Sequence, residues 1–331
     1  MTDAASRVPA HLAKHMSVFT PHALRRYREI EESKTRFVHY TSAEVGLEII
    51  RTKKVWMRLT SCMNDYSEVD HGLNCLSAAW HGDEGKRLQT FLDEQFPGIV
   101  KEITEPFDKW QNALRHETYI TSLSEHAGPD REDEDLYGRL SMWRGYAKGI
   151  GVALVIKQDP FWTQDQSLGV YTSPVAYLDD KAFSAAFKEV VDAIIRGREY
   201  LAEIGREWVK HSLIMAFSAA AVSTKHPGFK EEREWRVVRT PNFPAPCPFE
   251  RVTRTVHQVP QSVLLMDLKD NPGTGLIGIE PPDLIERVII GPTEYPIPIY
   301  DAYREQLKMI GVEDASEKVK ISFLPLRAAF G

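Results

Sequence analysis

The stretch KEEREWRVVRT, Lys230 to Thr240, sets five charged residues in a row and then runs into a β-strand. Trp235, Val237 and Val238 are strand formers, whereas Glu is depleted in strands because a half-buried pleated surface gives a carboxylate little. A period of two places Glu232, Glu234 and Arg236 on one face and Arg233, Trp235 and Val237 on the other. Such a strand has one face for the core and one for a polar site. We expect Trp235 and Val237 to anchor it, and Glu232, Glu234 and Arg236 to line a cleft opposite His39.

Working outward, residues 1–33 read as a polar lead-in with one short amphipathic helix, PHALRRYREIEESK. RFVHYTS is a strand with Phe37, His39 and Thr41 facing one way and Val38 and Tyr40 the other. Ser42 suits the N-cap of the next helix, AEVGLEIIRTKK. VWMRLTS is a second strand, and CMNDYSEVDHG an Asn/Asp-rich loop leading to a helix. Residues 83–116 are helix-periodic and interrupted at Pro97 and Pro106. TYITSLSE is a third strand, followed by an acidic loop, HAGPDREDEDLYGR. LSMWRGYAKG is a short helix, IGVALVIK a buried strand and SPVAYLDD another strand. A long helical stretch, about 181–223, is interrupted near Gly197 and Gly205. After a Pro-rich loop, SVLLMDL, LIERVIIG and VKISFLPL are three further strands, with a helix between the last two. Strands, one dominant helical insertion, then strands again indicate an α+β fold. Residues 34–331 read as one domain.

The 331 residues carry a net charge of −6, which argues against a surface built for general nucleic-acid binding. Three cysteines (Cys62, Cys75, Cys247) form no disulfide framework, and no stretch has signal-peptide or membrane-span character. The expectation is a cytoplasmic protein with no membrane partner. No metal is expected: Cys62, His71 and Cys75 share a region but lack ligand spacing. Phosphate-cradling Gly-rich loops and a nucleophile elbow are also missing.

Four polar or aromatic pieces remain, on or beside the predicted strands: HYTS (His39–Ser42), YITSLSE (Tyr119–Glu125), WRGYA (Trp143–Ala147) and EEREWR (Glu231–Arg236). Each has a structural account of its own, as a hydrogen-bonded core histidine, packing tyrosines or a cross-strand ion pair. In order, FVHYTS, LTSCMNDYSE, TSLSE, MWRGYAKGIGVAL, PVAY and EEREWRVV resemble a bacterial domain-of-unknown-function family, number twenty-nine seventy-one. That family is marked by HYTS, fNDxxE, WxxYA and ExEWR pieces, and the likeness spans about Arg36 to Arg327.

The same order of elements resembles, more distantly, the catalytic core of His-Tyr-Glu ADP-ribosyltransferases. That resemblance implies a mixed or antiparallel two-sheet core with helical insertions and NAD as the substrate. His39, Tyr40 and Thr41 would stand for its His-Gly-Thr, with Tyr119 and Tyr146 sandwiching the nicotinamide. Glu234 would be the catalytic carboxylate, with Glu232 beside it as a second acidic group. Ser122 and Arg236 would complete the NAD site. The implied activity is glycosyl transfer, ADP-ribose from NAD to a protein or nucleic-acid target, in a bacterial toxin or phage-defence effector. A carboxylate beside the ribose would stabilise an oxocarbenium-like transition state. The alternatives are a non-catalytic nucleotide-binding sensor module and an RNA-targeting abortive-infection effector.

Overall fold

The computed structural model describes residues 7–63, 68–126, 132–146, 149–162, 168–243, 245–256 and 258–325. Residues 64–67 of the Asn/Asp-rich loop, residues 127–131 of the acidic loop and Ala147 therefore lie outside the described residues. Two helices come first, α1 (Ala10–Phe19) and α2 (Pro21–Ser33), where the sequence pattern gives only the second. β1 (Arg36–Ser42), α3 (Ala43–Thr52) and β2 (Lys54–Leu59) follow. The Ser42 hydroxyl accepts the Val45 amide at 3.2 Å, which satisfies one orphan donor and fixes the turn into α3.

Three helices, α4 (Glu68–His81), α5 (Asp83–Gln95) and α6 (Ile99–Glu117), separate β2 from β3 (Tyr119–His126). Pro106 does not interrupt this region; it sits inside α6. Proline removes one backbone hydrogen bond there, and burial of Ile103, Phe107 and Leu114 holds the helix together. α7 (Glu132–Tyr137) and α8 (Leu140–Tyr146) lead to β4 (Gly151–Ile156), buried at all six positions as its unbroken apolar run predicts.

SPVAYLDD is not one strand: β5 (Tyr171–Pro174) ends and β6 (Ala176–Tyr177) joins a different sheet. α9 (Asp180–Arg196) and α10 (Arg198–Ser223) make the long helical stretch, divided at Gly197 and broken again at Gly205, whose φ of 78° suits glycine. β7 (Thr224–Lys225), β8 (Glu234–Arg239), β9 (Glu250–Val256), β10 (Val259–Asp267), α11 (Pro281–Leu284), β11 (Ile285–Ile290), α12 (Pro296–Met309), α13 (Ala315–Lys318) and β12 (Val319–Ile321) complete the described chain. The sequence pattern misses β9 because its side chains are largely exposed and carry no buried alternation.

The architecture is mixed α/β. Ten strands form one mixed sheet in the order β12-β11-β4-β1-β3-β2-β10-β9, with β8 on the other edge of β3 and β5 beyond it. β6 and β7 pair separately. β3 is the branching strand. It pairs with β1 only near its C-terminal end, from Val38–Ser124 to Arg36–His126. It meets β2 only at its start, through Leu59–Tyr119 and Arg58–Ile120. Thr121 to Leu123 have no strand partner on that edge, so the sheet splits there into a β1–β4 wing and a β2–β10 wing.

One face of the sheet carries Phe37, Leu123, Trp235, Val237 and Leu264 in a core shared with α3 and α12. The other face is covered in two patches. Ile120 and Val238 lie beneath the helical layer of α4, α5, α6, α9 and α10, and Val38, Tyr40 and Ala153 lie beneath Trp143 of α8. Within the helical layer α4 and α10 touch at Gly72, where a Cβ would come within 2.2 Å of the Ala221 carbonyl oxygen. That contact sets the helices directly over β8.

Candidate functional site: a buried ion cluster and an apolar cavity on opposite faces of the sheet

The acidic stretch enters its strand later than the period of two implies. Pro227 to Glu232 form a 3-10 turn, Arg233 adopts a left-handed conformation (φ 44°), and β8 begins only at Glu234. His226 starts the turn by accepting the Gly228 amide at 3.1 Å. Glu232 is thus the last residue of a turn instead of a strand residue. The reversal at Arg233 still returns its carboxylate to the side of the sheet that carries Glu234.

There the two carboxylates meet partners the sequence reading did not include. The Lys225 ammonium lies 2.6 Å from Glu68, 2.6 Å from Glu232 and 3.2 Å from Glu234. Arg236 is bidentate to Glu234, at 2.8 and 3.0 Å, and also bonds Glu68 and the Val222 carbonyl. Ser122 donates to Glu234 at 2.6 Å, and Tyr146 donates to Glu232 at 2.7 Å. The Tyr177 hydroxyl accepts the Glu234 amide at 2.8 Å. Glu68, Lys225, Glu234 and Arg236 are all buried.

Three carboxylates face two cations, and the balance shows in their protonation. Burial alone would raise the Glu234 carboxyl, but Arg236 and Lys225 outweigh it and hold it well below the usual range. Lys225 is also buried, yet Glu234, Glu68 and Glu232 push its ammonium above the ordinary lysine value. Glu232 goes the other way: burial raises it, with Glu234 adding to the rise and Lys225 opposing it. Burial and the facing Glu232 also raise the Tyr146 phenol, so it stays a donor. Glu232 is the surplus acid of the cluster, and Glu234 is a fully engaged anion.

His39 does not join them. On β3, Ser122 and Ser124 stand opposite Arg236 and Glu234, while Leu123 stands opposite Trp235. The imidazole shares the face of Phe37, Leu123 and Trp235, opposite that of the carboxylates. It fills the split in the sheet, with Nδ1–H donating to the Ser122 carbonyl at 2.9 Å. From the other wing, Thr121 donates to the Trp56 carbonyl at 2.5 Å. Ser122 therefore links the two faces, its carbonyl bonded to His39 and its hydroxyl to Glu234. The expected cleft with Glu232, Glu234 and Arg236 opposite His39 is absent, because a strand puts alternate residues on opposite faces and helices cover the acidic one.

The remaining predicted residues divide in the same way. Tyr40 packs edge-on against Trp143 and accepts the Arg139 amide at 2.8 Å. Thr41 stands opposite Val152 beside α3. Tyr119 is buried on the His39 face, bonding Ser262 at 3.1 Å. Tyr146 lies on the Glu234 face, so the two tyrosines do not sandwich one ligand. As a set, His39, Tyr119, Tyr146 and Glu234 do not fit around a single NAD. Glu68 was signalled by the ND-x-x-E spacing, whose last residue it is. Lys225 carried no local signal, being a lone lysine after a long helix.

The face that carries His39 opens into a cavity of about 1060 Å³ between the sheet and α1, α2 and α10. Leu154, Leu123 and Val237 form part of its floor, and Phe19, Tyr27 and Phe161 part of its cover. Trp162 also lines it, and its Nε1 is buried without a hydrogen-bond partner. Burial lowers the His39 pKa, so the imidazole is neutral, with Nδ1 protonated and Nε2 an acceptor.

With the geometry in place, the comparisons have a structural context. Residues 142–237 match the model of the family described as protein of unknown function (DUF2971). The DUF2971 resemblance is borne out. The matched segment contains Tyr146, Lys225, Glu232, Glu234 and Arg236, so most of the ion cluster lies within it. The ND-x-x-E, WxxYA and ExEWR pieces that carry the resemblance meet there in space through Glu68, Tyr146, Glu232, Glu234 and Arg236. Neither a curated protein nor a solved structure matches the chain. Among the described residues no helix is long and apolar enough to cross a membrane, and no group of three His, Cys, Asp or Glu is placed to hold a metal.

Acid should weaken this fold early. Burial lowers both His39 and His126 from the ordinary value of 6.5. The unfolded chain therefore binds protons that the folded chain does not, and stability falls as pH drops below about 6.5. Urea midpoints measured from about pH 7.5 to about pH 5.5 should fall continuously; a constant midpoint would contradict neutral buried histidines.

Proposed function

We propose that this protein is a small-molecule binding module whose ligand occupies the cavity floored by His39. The cavity carries the reading. Protein interiors are close-packed, with few voids larger than a water molecule, whereas ligand sites are apolar concavities of about 300–1,000 Å³ with a few polar groups. A space of about 1060 Å³ with a neutral imidazole on its floor matches the second description. The acidic cluster, by contrast, is fully paired and serves to join β8, β7 and the helical layer.

The test uses Nile red, an uncharged apolar dye. Wild-type protein should bind it saturably at one site with blue-shifted emission. Ala216→Trp, which sets an indole into the cavity from α10, should abolish that signal while leaving the far-UV spectrum unchanged. Equal binding by both proteins would place the dye elsewhere and remove the reading.

A second reading, NAD-dependent ADP-ribosyl transfer, has one observation in its favour: two of its residues, Tyr146 and Glu234, lie on one face of the sheet, at the cluster that also holds Glu232. Labelled NAD incubated with the protein and cell lysate would then give a modified macromolecule. Loss of the label in Glu234→Gln, with the fold retained, supports transfer; no label in wild type counts against it.

A further inference from the structure

Resting on the cavity reading, we infer that the ligand is an elongated, uncharged lipid alcohol whose hydroxyl sits on His39. Length comes from the sheet. The cavity is lined by Leu154 of β4, His39 of β1, Leu123 of β3, Val237 of β8 and Thr172 of β5, residues of five successive strands. Four steps of about 4.8 Å give a floor roughly 19 Å long. A compact ring system would leave much of that floor uncovered, whereas a chain lying across the strands covers it.

The lack of charge comes from the lining. Among the described residues, the charged side chains lining the cavity are Arg7 and Glu203, and both are already paired, with Asp159 at 2.8 Å and with Lys14 at 2.9 Å. Both pairs are largely exposed, which puts them at the rim and not at the floor. Among the described residues, no cation faces His39 to receive a carboxylate or a phosphate. Burying an ionised group there would carry the desolvation penalty with nothing to offset it.

The hydroxyl comes from the polar atoms the fold leaves open. With Nδ1–H committed to Ser122, the other ring nitrogen of His39 is an acceptor facing the cavity. A ligand O–H donates to it, which a hydrocarbon, an ether or a ketone does not. Trp162 Nε1–H is a further unsatisfied group in the same lining, and roughly nine in ten buried polar groups are paired. It is available to a second oxygen on the chain or to water held with it.

Four probes share one tail: farnesol, farnesoic acid, farnesyl diphosphate and the hydrocarbon farnesene, each titrated by displacement of Nile red. Farnesol should bind at least about tenfold more tightly than each of the other three, a difference of about 1.4 kcal/mol. His39→Phe should reduce the preference for farnesol over farnesene to within about twofold, and Ala216→Trp should remove binding of all four. If His39→Phe fails to fold, the ranking in the wild type still decides the matter. Tighter binding of the acid, the diphosphate or the hydrocarbon overturns the alcohol assignment and leaves the cavity reading standing. Failure of Nile red and of all four probes to bind wild-type protein overturns both.

Discussion

Lys225→Met should cost about 3–5 kcal/mol of folding stability. The side chain is 4% exposed, and its ammonium lies within 3.2 Å of three carboxylates. Its removal leaves Glu68, Glu232 and Glu234 with Arg236 alone, and Arg236 is already bidentate to Glu234. Breaking a buried pair leaves uncompensated charge, which is why the loss exceeds the net value of the pair itself. The effect extends beyond β7, because Glu68 opens α4 and Glu234 opens β8. Urea unfolding of the variant at neutral pH measures it. The double variant Lys225→Met/Glu232→Gln should regain about 1 kcal/mol or more, since it removes the surplus carboxylate that Lys225 no longer balances. A single-variant loss below about 1 kcal/mol would mean that water already screens the cluster.

The same cluster shows how far the sequence could be read. The alternation within EWRVV was legible, because a period of two is enforced by backbone geometry, and Glu234 and Arg236 do face away from Trp235 and Val237. The separation of His39 from Glu234 was not legible. A strand's own pattern says which residues share a face, but which of two neighbouring strands turns which face to a common cleft is settled by pairing across the sheet. Here Val38, not His39, shares the face of Ser124 and Glu234. Lys225 escaped notice for a related reason: its three partners come from positions 68, 232 and 234, and the first of these is distant in sequence. The helical layer was legible where its breaks are glycines, at Gly197 and Gly205, and misread at Pro106, where tertiary packing overrides the loss of a backbone bond. The cavity was invisible in the sequence, since it is bounded by residues from α1 to β11 that share only apolar character.

The two faces of the sheet therefore have different physical roles. On one, charge is buried, and each carboxylate of the cluster has a named partner. On the other, a large space carries polar atoms without partners. Buried networks whose members are all satisfied rigidify a fold, whereas unsatisfied donors and acceptors beside a void define where a ligand gains. The ion cluster is the frame against which the cavity is held open.

Trp235 connects frame and cavity, and its loss should be comparable in size to that of Lys225. Trp235→Ala should destabilise by about 3–5 kcal/mol, as large-to-small changes at buried aromatic sites do. The indole is 1% exposed and meets Tyr27 edge-on at 5.0 Å and Phe37 at 5.3 Å. Its Nε1–H donates to Glu125 at 2.6 Å, and Glu125 in turn holds Arg26 of α2. Truncation thus removes packing beneath α2 and frees the carboxylate that anchors this helix over the cavity. Trp235→Phe separates the two contributions: it keeps most of the ring contact, loses the N–H bond, and should cost only about 1–3 kcal/mol. In the alanine variant, Nile red emission should move toward its value in water, because the cover at Tyr27 no longer excludes solvent. Equal losses in the two variants, with unchanged dye emission, would show that Trp235 acts through its hydrogen bond and not as the floor under α2.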